Sequence, residues 1–365
     1  MNFISYDECI TNLACSIEKY FGVSYNHSTL DYVDCLLEEK KPKHVVVLLF
    51  DGLGSRILDR SLPDDSFLRS HKYKEIHTVF PATTTAATTS IKTGLNPSEH
   101  GWLAWNTYIK PIDQTITMFL SREKETANFS NAYENLKNDV LNFDTIVSKI
   151  NKNGDKAYEI SPFCDNPYVD LDDMLNRIED ICSSDDKTYI YAYDDEPDHS
   201  MHLYGSSSEN VLELIKIRNE KVEKLCNKLK DTMLFVIADH GHIEVKHHFL
   251  KDYPTIKNCL YRVTSNEPRS PMFFVKEEMK DTFVSEFKKY FENDFYLFSK
   301  QEILDLKLYG DGNYHTLFED ALGDFLAISK NSTALLDAGD EPLFSMHAGS
   351  CDDEIYIPLI IIDKV

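Results

Sequence analysis

No apolar run in this 365-residue chain approaches the roughly 20 residues needed to cross a membrane as a helix; VVVLLF (45–50) and the terminal IYIPLIII are the longest. The opening MNFISYDECITNLACSIEKYF lacks a basic stretch followed by an uninterrupted apolar core, so it reads as a poor secretory leader. Cysteine is sparse and unpatterned. The eight residues show no CxxC spacing, which argues against a thiolate zinc site or a disulfide framework and for reduced thiols. Cytoplasm is therefore the expected location. Basic residues are also scarce, 38 Lys+Arg against 61 Asp+Glu, giving a net charge of −23. Such a field repels long polyphosphate chains and anionic membranes, so neither long nucleic acid nor a membrane is an expected partner. A small phosphate ester stays compatible, because bound divalent cations would dominate the local potential. Internal repeats and low-complexity linkers are absent from the sequence as well.

What is present is alternation. Ile10, Leu13, Ala14 and Ile17 share one face of a helix expected over 7–20, stopped by Gly22. VVVLLF is apolar throughout, as for a parallel strand buried on both faces, and Gly52 and Gly54 let the chain turn after it. TTTAATTSIKTG reads as a short helix closed by Gly94. NFDTIVSKINKNG is a helix with Asn142 or Asp144 available as its cap, leading into the strand KAYEI. The helix LDDMLNRIEDIC precedes the strand KTYIYAY. Val211, Leu214, Ile215, Arg218, Val222, Leu225 and Leu229 then recur at helical spacing before the strand MLFVIAD. This order predicts an α/β fold, a mainly parallel central sheet with helices on both faces. Residues 245–345 break the pattern, and a small inserted α+β subdomain is expected at 250–335 within one catalytic domain spanning 1–365.

Candidate chemistry sits at the strand ends. Asp51 follows one strand, Asp198 and His202 another, and Asp239 and His240 a third, while His347 precedes the last. In an open α/β sheet the carboxyl ends of the strands line the crevice, so these side chains can converge. Asp198 and His202, four apart, share a face if a helix starts after Pro197. Each Asp alone is more simply a turn or cap residue. The adjacent Asp239–His240 pair is stronger, since a charged pair directly after a buried strand needs a partner, and a cation supplies one. Carboxylates and imidazoles beside a hydroxyl cluster fit a two-metal phosphoryl-transfer site. The hydroxyls are Thr83, Thr84 and Thr85, at the expected start of a helix where backbone N–H groups favour an anion. No Arg or Lys lies between Phe80 and Ile91, so no local clamp for a terminal phosphate is evident there, which favours diesters over monoesters.

The segments VVVLLFDGLG, TVFPATTTAATTSIKTGLNPSEHGW, DDEPDHSMHLYG, IADHGH and SMHAG, from about 44 to 349, resemble the metal-site blocks of the alkaline phosphatase superfamily. They are most similar to its nucleotide pyrophosphatase/phosphodiesterase branch. The FP-x-x-T…TG-x-x-P-x-x-HG and EPD-x-x-x-H blocks are the specific ones. The resemblance implies an alkaline-phosphatase-like fold and hydrolysis of phosphodiesters or pyrophosphates through a phospho-threonine intermediate, with Thr84 as nucleophile. It implies two divalent metal ions, zinc in most of the family and manganese as an alternative. Asp51, Thr84, Asp239 and His240 would hold one, and Asp198, His202 and His347 the other. The family also uses an Asn after the HG block to bind a phosphoryl oxygen. Asn106 is the nearest candidate, one residue further along than the usual pattern.

Other residues read more modestly. Trp105 and Tyr204, with Trp102 and Tyr108, could stack on a planar group of the substrate. His242 reads first as a surface residue and second as a partner of a ligand, and His247 and His248 as a solvated loop pair. Three alternatives compete with a diesterase. They are a phosphomonoesterase, a metal-dependent phosphomutase of the same superfamily, disfavoured by the Thr nucleophile and small insertion, and a non-catalytic zinc protein. A sulfatase is disfavoured further by the lack of a C/S-x-P-x-R motif in PATTTAATT.

Overall fold

The computed structural model describes residues 4–365. Six strands form the central sheet: β1 (His44–Phe50), β2 (Lys72–His77), β3 (Lys156–Ile160), β4 (Thr188–Asp194), β5 (Thr232–Ile237) and β6 (Tyr356–Lys364). Their order is β2-β6-β5-β1-β4-β3. β1 pairs in parallel with both β4 and β5, and β3 is parallel to β4. β6 runs antiparallel to β5 and β2, so five strands share one direction and only the last is reversed. The expected mainly parallel sheet is thus present, with a reversal that the apolar run IYIPLIII does not announce.

Central position explains composition. All seven residues of β1 are buried, including His44, whose Nδ1 lies 2.7 Å from the Thr188 hydroxyl. A buried Val or Leu contributes about 1.5–3 kcal/mol, so this strand alone is a large share of the core. Helices cover the sheet: α1 (Ile10–Tyr20), α2 (Thr84–Thr93), α3 (Ile146–Asn153), α4 (Leu171–Cys182), α5 (Asp198–Tyr204) and α6 (Glu209–Cys226). The cap of α3 differs from expectation. Thr145 holds the position, its hydroxyl accepting the Ser148 N–H at 3.1 Å, while Asp144 lies one residue outside the helix and pairs with Lys152.

A second, antiparallel sheet of seven strands joins two distant stretches of chain. Residues 295–299, 325–329, 270–273 and 265–267 pair in that order, and 265–267 then pairs with 106–109, followed by 114–117 and 122–123. Segment 106–123 therefore packs with the later α+β region rather than with the α/β core. All eight cysteines are free thiols. No helix among the described residues is long and apolar enough to cross a membrane.

Candidate active site

Parallel alignment brings the strand ends to one edge. Asp51 directly follows β1, and its N–H donates to the Asp194 carbonyl of β4 at 2.9 Å. The Asp198 N–H donates in turn to the Asp51 carbonyl at 3.0 Å, so these turns are stitched together by backbone. α5 begins at Asp198 as expected, placing His202 one turn on. Asp239 follows β5, and its Oδ1 accepts the N–H of Gly52 at 3.0 Å. Because β6 is reversed, the loop preceding it ends at this same edge. That is how His347, more than a hundred residues after Asp239, reaches the site.

Thr84 is the first residue of α2, preceded by Thr83 in extended conformation. The first N–H groups of a helix have no intrahelical acceptor, so this end presents free donors and positive potential. The Thr84 hydroxyl lies 3.1 Å from His240 Nε2 and 3.3–3.4 Å from the two oxygens of Asp51. Thr83 and Thr85 point elsewhere. Thr83 donates to Glu267, and the buried Thr85 hydroxyl has no partner among the described residues.

The histidines are oriented for cations. His202 Nδ1 lies 2.7 Å from the Ser345 carbonyl, His240 Nδ1 lies 3.1 Å from the Gly241 carbonyl, and His347 Nδ1 lies 3.0 Å from the Ala82 carbonyl. A carbonyl only accepts, so each Nδ1 carries the proton and each Nε2 is left as a bare lone pair, the usual posture of a metal-binding imidazole. Burial holds His347 well below the ordinary imidazole range, with His240 and His242 adding to the effect. Asp239 Oδ2 is buried without a hydrogen-bond partner among the described residues, 3.4 Å from His240 Nε2. Burial and the neighbouring Asp239 and Asp198 push the Asp51 carboxyl well above its ordinary pKa. An orphaned carboxylate oxygen, crowded acids and bare imidazoles form a donor set short of positive charge, and divalent cations fit it. Asp51, Asp239 and His240 form one group of converging ligand atoms, and Asp198, His240, His242 and His347 another. His202 Nε2 approaches Asp198 at 3.4 Å and its ring lies 5.3 Å from that of His347.

Several neighbours were not legible as site residues. His242 is fully buried rather than on the surface. It touches Asp198 through Nε2, and its Nδ1 lies 3.0 Å from Ser345 Oγ. The reason is the turn itself, which is held by the Gly241 N–H to the Glu354 carbonyl and packs His242 against Asp198, Ser345 and Gly52. Burial drives His242 down to about 3, so the ring is neutral. Tyr193 donates from its hydroxyl to Asp51 Oδ2. His247 and His248 diverge from the site, to the Leu343 carbonyl and the Tyr253 hydroxyl respectively. The buried Arg269 grips Glu354 with two bonds of 2.6 and 2.7 Å, and Glu354 accepts the Gly349 N–H at 2.7 Å, which fixes the loop carrying His347.

Above Thr84 lies a cavity of about 490 Å³, lined also by Trp105, Asn106, Asp198, His202, Glu267 and His347. Asn106 is buried, and its Oδ1 accepts from the Thr117 hydroxyl at 2.8 Å, which leaves the amide N–H donors uncommitted. Trp105 stands at the lip, 36% exposed. Tyr204 ends α5 and is 55% exposed; its neighbour Leu203, not Tyr204, lines the cavity. Two cations arrive from outside the Thr-rich segment. Lys124 is buried and paired with Asp340 at 2.9 Å, while Arg122 is exposed at the rim. Burial pushes the Glu267 carboxyl up to about 7. Another cavity, about 760 Å³, is lined by Tyr6, His27, Glu99 and Lys307 and contains none of these groups.

Residues 45–349 match the type I phosphodiesterase/nucleotide pyrophosphatase family. No curated protein sequence matches the chain. Among solved structures, it is similar to murine ectonucleotide pyrophosphatase/phosphodiesterase 5 as an inactive variant in complex with AMP. The TM-score is 0.66 and the identity 19%, over 86% of this chain and 87% of that one. The human ectonucleotide pyrophosphatase/phosphodiesterase 5 gives the same TM-score and coverage at 17% identity.

Proposed function

Because this chain belongs to the type I phosphodiesterase/nucleotide pyrophosphatase family of the alkaline phosphatase superfamily, we propose that it hydrolyses phosphodiester or pyrophosphate bonds through a phospho-threonine intermediate on Thr84. Asp51, Thr84, Asp239 and His240 would hold one divalent cation, and Asp198, His202 and His347 a second, with zinc the first candidate and manganese the alternative. When bound, such ions lower the pKa of a coordinated hydroxyl and neutralise phosphoryl oxygens. The observation that carries the reading is the Thr84 hydroxyl at the start of α2, 3.1 Å from a bare His240 Nε2 at the base of a cavity.

Thr84 Oγ forms a bond to phosphorus as the ester oxygen of the leaving group departs and takes up a proton. Water then attacks phosphorus, the Oγ–P bond breaks, and Thr84 recovers its proton. Asn106 donates its amide N–H to a phosphoryl oxygen, an orientation supported by the Thr117 bond to the other end of the amide. The N–H groups at the start of α2 face the same anion. Trp105 offers a flat apolar face at the lip, suited to the planar group of a nucleotide such as the AMP held by the murine relative. The 250–335 subdomain contributes Glu267 and Pro268 to the wall.

Diester preference rests on Lys124, whose charge is absorbed by Asp340, which leaves no free cation deep in the cavity among the described residues for a dianionic terminal phosphate. Arg122 at the rim is the observation that favours the monoesterase alternative. Turnover of bis-p-nitrophenyl phosphate and p-nitrophenyl phosphate, measured side by side with zinc and with manganese, separates the two. A strong monoester preference overturns the diesterase reading. The eight free thiols support a reducing compartment, the cytoplasm, which cell fractionation tests.

A further inference from the structure

Glu267 is 93% buried (7% exposed), lines the cavity that contains Thr84, and is only half committed. Its Oε1 accepts the Thr83 hydroxyl at 2.7 Å and the Trp105 N–H at 2.8 Å. Those bonds join the turn before the nucleophile to the segment carrying Trp105 and Asn106. Its Oε2 has no hydrogen-bond partner among the described residues and is not among the sealed polar atoms. The preceding residue supports a functional placement. Asn266 holds a left-handed φ of +72° inside a strand, where a side chain is strained, and is pinned there by Ser270 and Tyr309. Oε2 thus faces the cavity as an acceptor that no group among the described residues uses, and a donor on a bound ligand can reach it.

We propose that Glu267 is a substrate-recognition residue whose Oε2 accepts a hydrogen bond from a hydroxyl on the group esterified to phosphorus, so that the preferred diesters carry a sugar rather than a plain aryl or alkyl group. The inference rests on the diesterase reading above. It adds to that reading a selective element belonging to this chain's second sheet. A carboxylate beside the cavity also disfavours esters that would bring a further anion to that wall.

The test compares p-nitrophenyl thymidine 5′-phosphate, which carries a sugar hydroxyl, with bis-p-nitrophenyl phosphate, which has none. Glu267→Gln keeps an oxygen for Thr83 and Trp105 but puts an N–H₂ donor in place of the Oε2 acceptor. The ratio of kcat/KM for the thymidine ester over the aryl ester is expected to fall about tenfold, mainly through KM, as for one lost hydrogen bond to an acceptor replaced by a donor. Affinity of the metal-loaded enzyme for thymidine monophosphate should weaken relative to inorganic phosphate, read by calorimetry. Glu267→Ala, which also loses the Oε1 bonds, is expected to lower kcat on both esters. An unchanged ratio in the Gln variant, with thymidine monophosphate affinity intact, overturns the proposal and makes Glu267 purely a brace. Failure of the wild type on both esters contradicts the diesterase reading instead.

Discussion

The Thr84 hydroxyl and the unprotonated Nε2 of His240 stand 3.1 Å apart across the end of the sheet, 156 residues from one another in sequence. Neither group can serve the other as donor and acceptor alone without leaving Asp51 and Asp239 uncompensated, so the pair is organised around positive charge that the chain itself does not provide. Thr84→Ala removes the proposed nucleophile and leaves Asp51, Asp239 and His240 in place. Turnover is expected to drop by about three orders of magnitude or more, while bound metal persists. Steady-state rates with elemental analysis of the same preparation check both. Undiminished turnover removes Thr84 from the mechanism.

Metal binding should divide between two residue sets. Asp239 Oδ2 is buried without a partner, and Asp239→Asn replaces that charge with an amide. Bound metal is expected to fall by about one ion per chain in this variant, and likewise in His347→Ala. Chelation of the wild type should abolish turnover, with zinc or manganese restoring it. A variant that loses both ions would mean that the two sites are built as one unit.

Glu18 gives the fold a pH dependence that lies away from the metal centre. It is fully buried between α1 and the end of α2, bonded to Lys149 at 2.5 Å, while Lys149 also donates to the Thr93 carbonyl. Burial, only partly offset by Lys149, pushes its carboxyl from 4.5 up to about 7. Between those values the unfolded chain has released a proton that the folded chain keeps, so stability falls as pH rises. The loss amounts to about 3 kcal/mol at most. Denaturant unfolding of wild type and Glu18→Gln across this range should show a shallower decline in the variant, because Glu267 and Asp51 keep their own share of it.

Gly241 follows His240 in a space that admits no side chain. A Cβ there would lie 1.9 Å from the Asp353 carbonyl oxygen and 3.1 Å from Gly54. Its N–H donates to the Glu354 carbonyl at 2.9 Å, which ties the turn to the short helical segment that precedes β6. Gly241→Ala should destabilise the protein by about 3 kcal/mol and weaken metal retention, because the turn carries Asp239 and His240. Thermal melting with and without metal measures both effects.

Strand-end Asp residues and the Thr cluster were readable because buried parallel strands have continuous apolar runs, and polar residues just after them share one edge. His347 was readable as a lone His ahead of the last strand, and the resemblance assigned it to a metal; the physical cause that brings it to the edge, a reversed last strand, is invisible in IYIPLIII because buried strands of either direction look alike. His242 takes its second reading, as the partner of a ligand, and not its first as a surface residue, since sequence does not show that the turn packs on Asp353 and Glu354. Glu267, Lys124 and Tyr193 reach the site from positions that no local pattern distinguishes. Glu267 arrives only because strand 265–267 pairs with 106–109 across more than 150 residues. Pairings of that range depend on the whole fold, whereas capping is a local choice. At α3 even that choice fell to Thr145, whose short hydroxyl reaches the Ser148 N–H.

Acid quenching of the enzyme during turnover of a p-nitrophenyl diester, followed by peptide mass spectrometry, tests the covalent mechanism most directly. A phosphoryl group on the peptide containing Thr84, absent from Thr84→Ala, is the predicted result. Rapid hydrolysis with no phosphorylated residue at any quench time would contradict it, and would assign the attack to water rather than to the threonine.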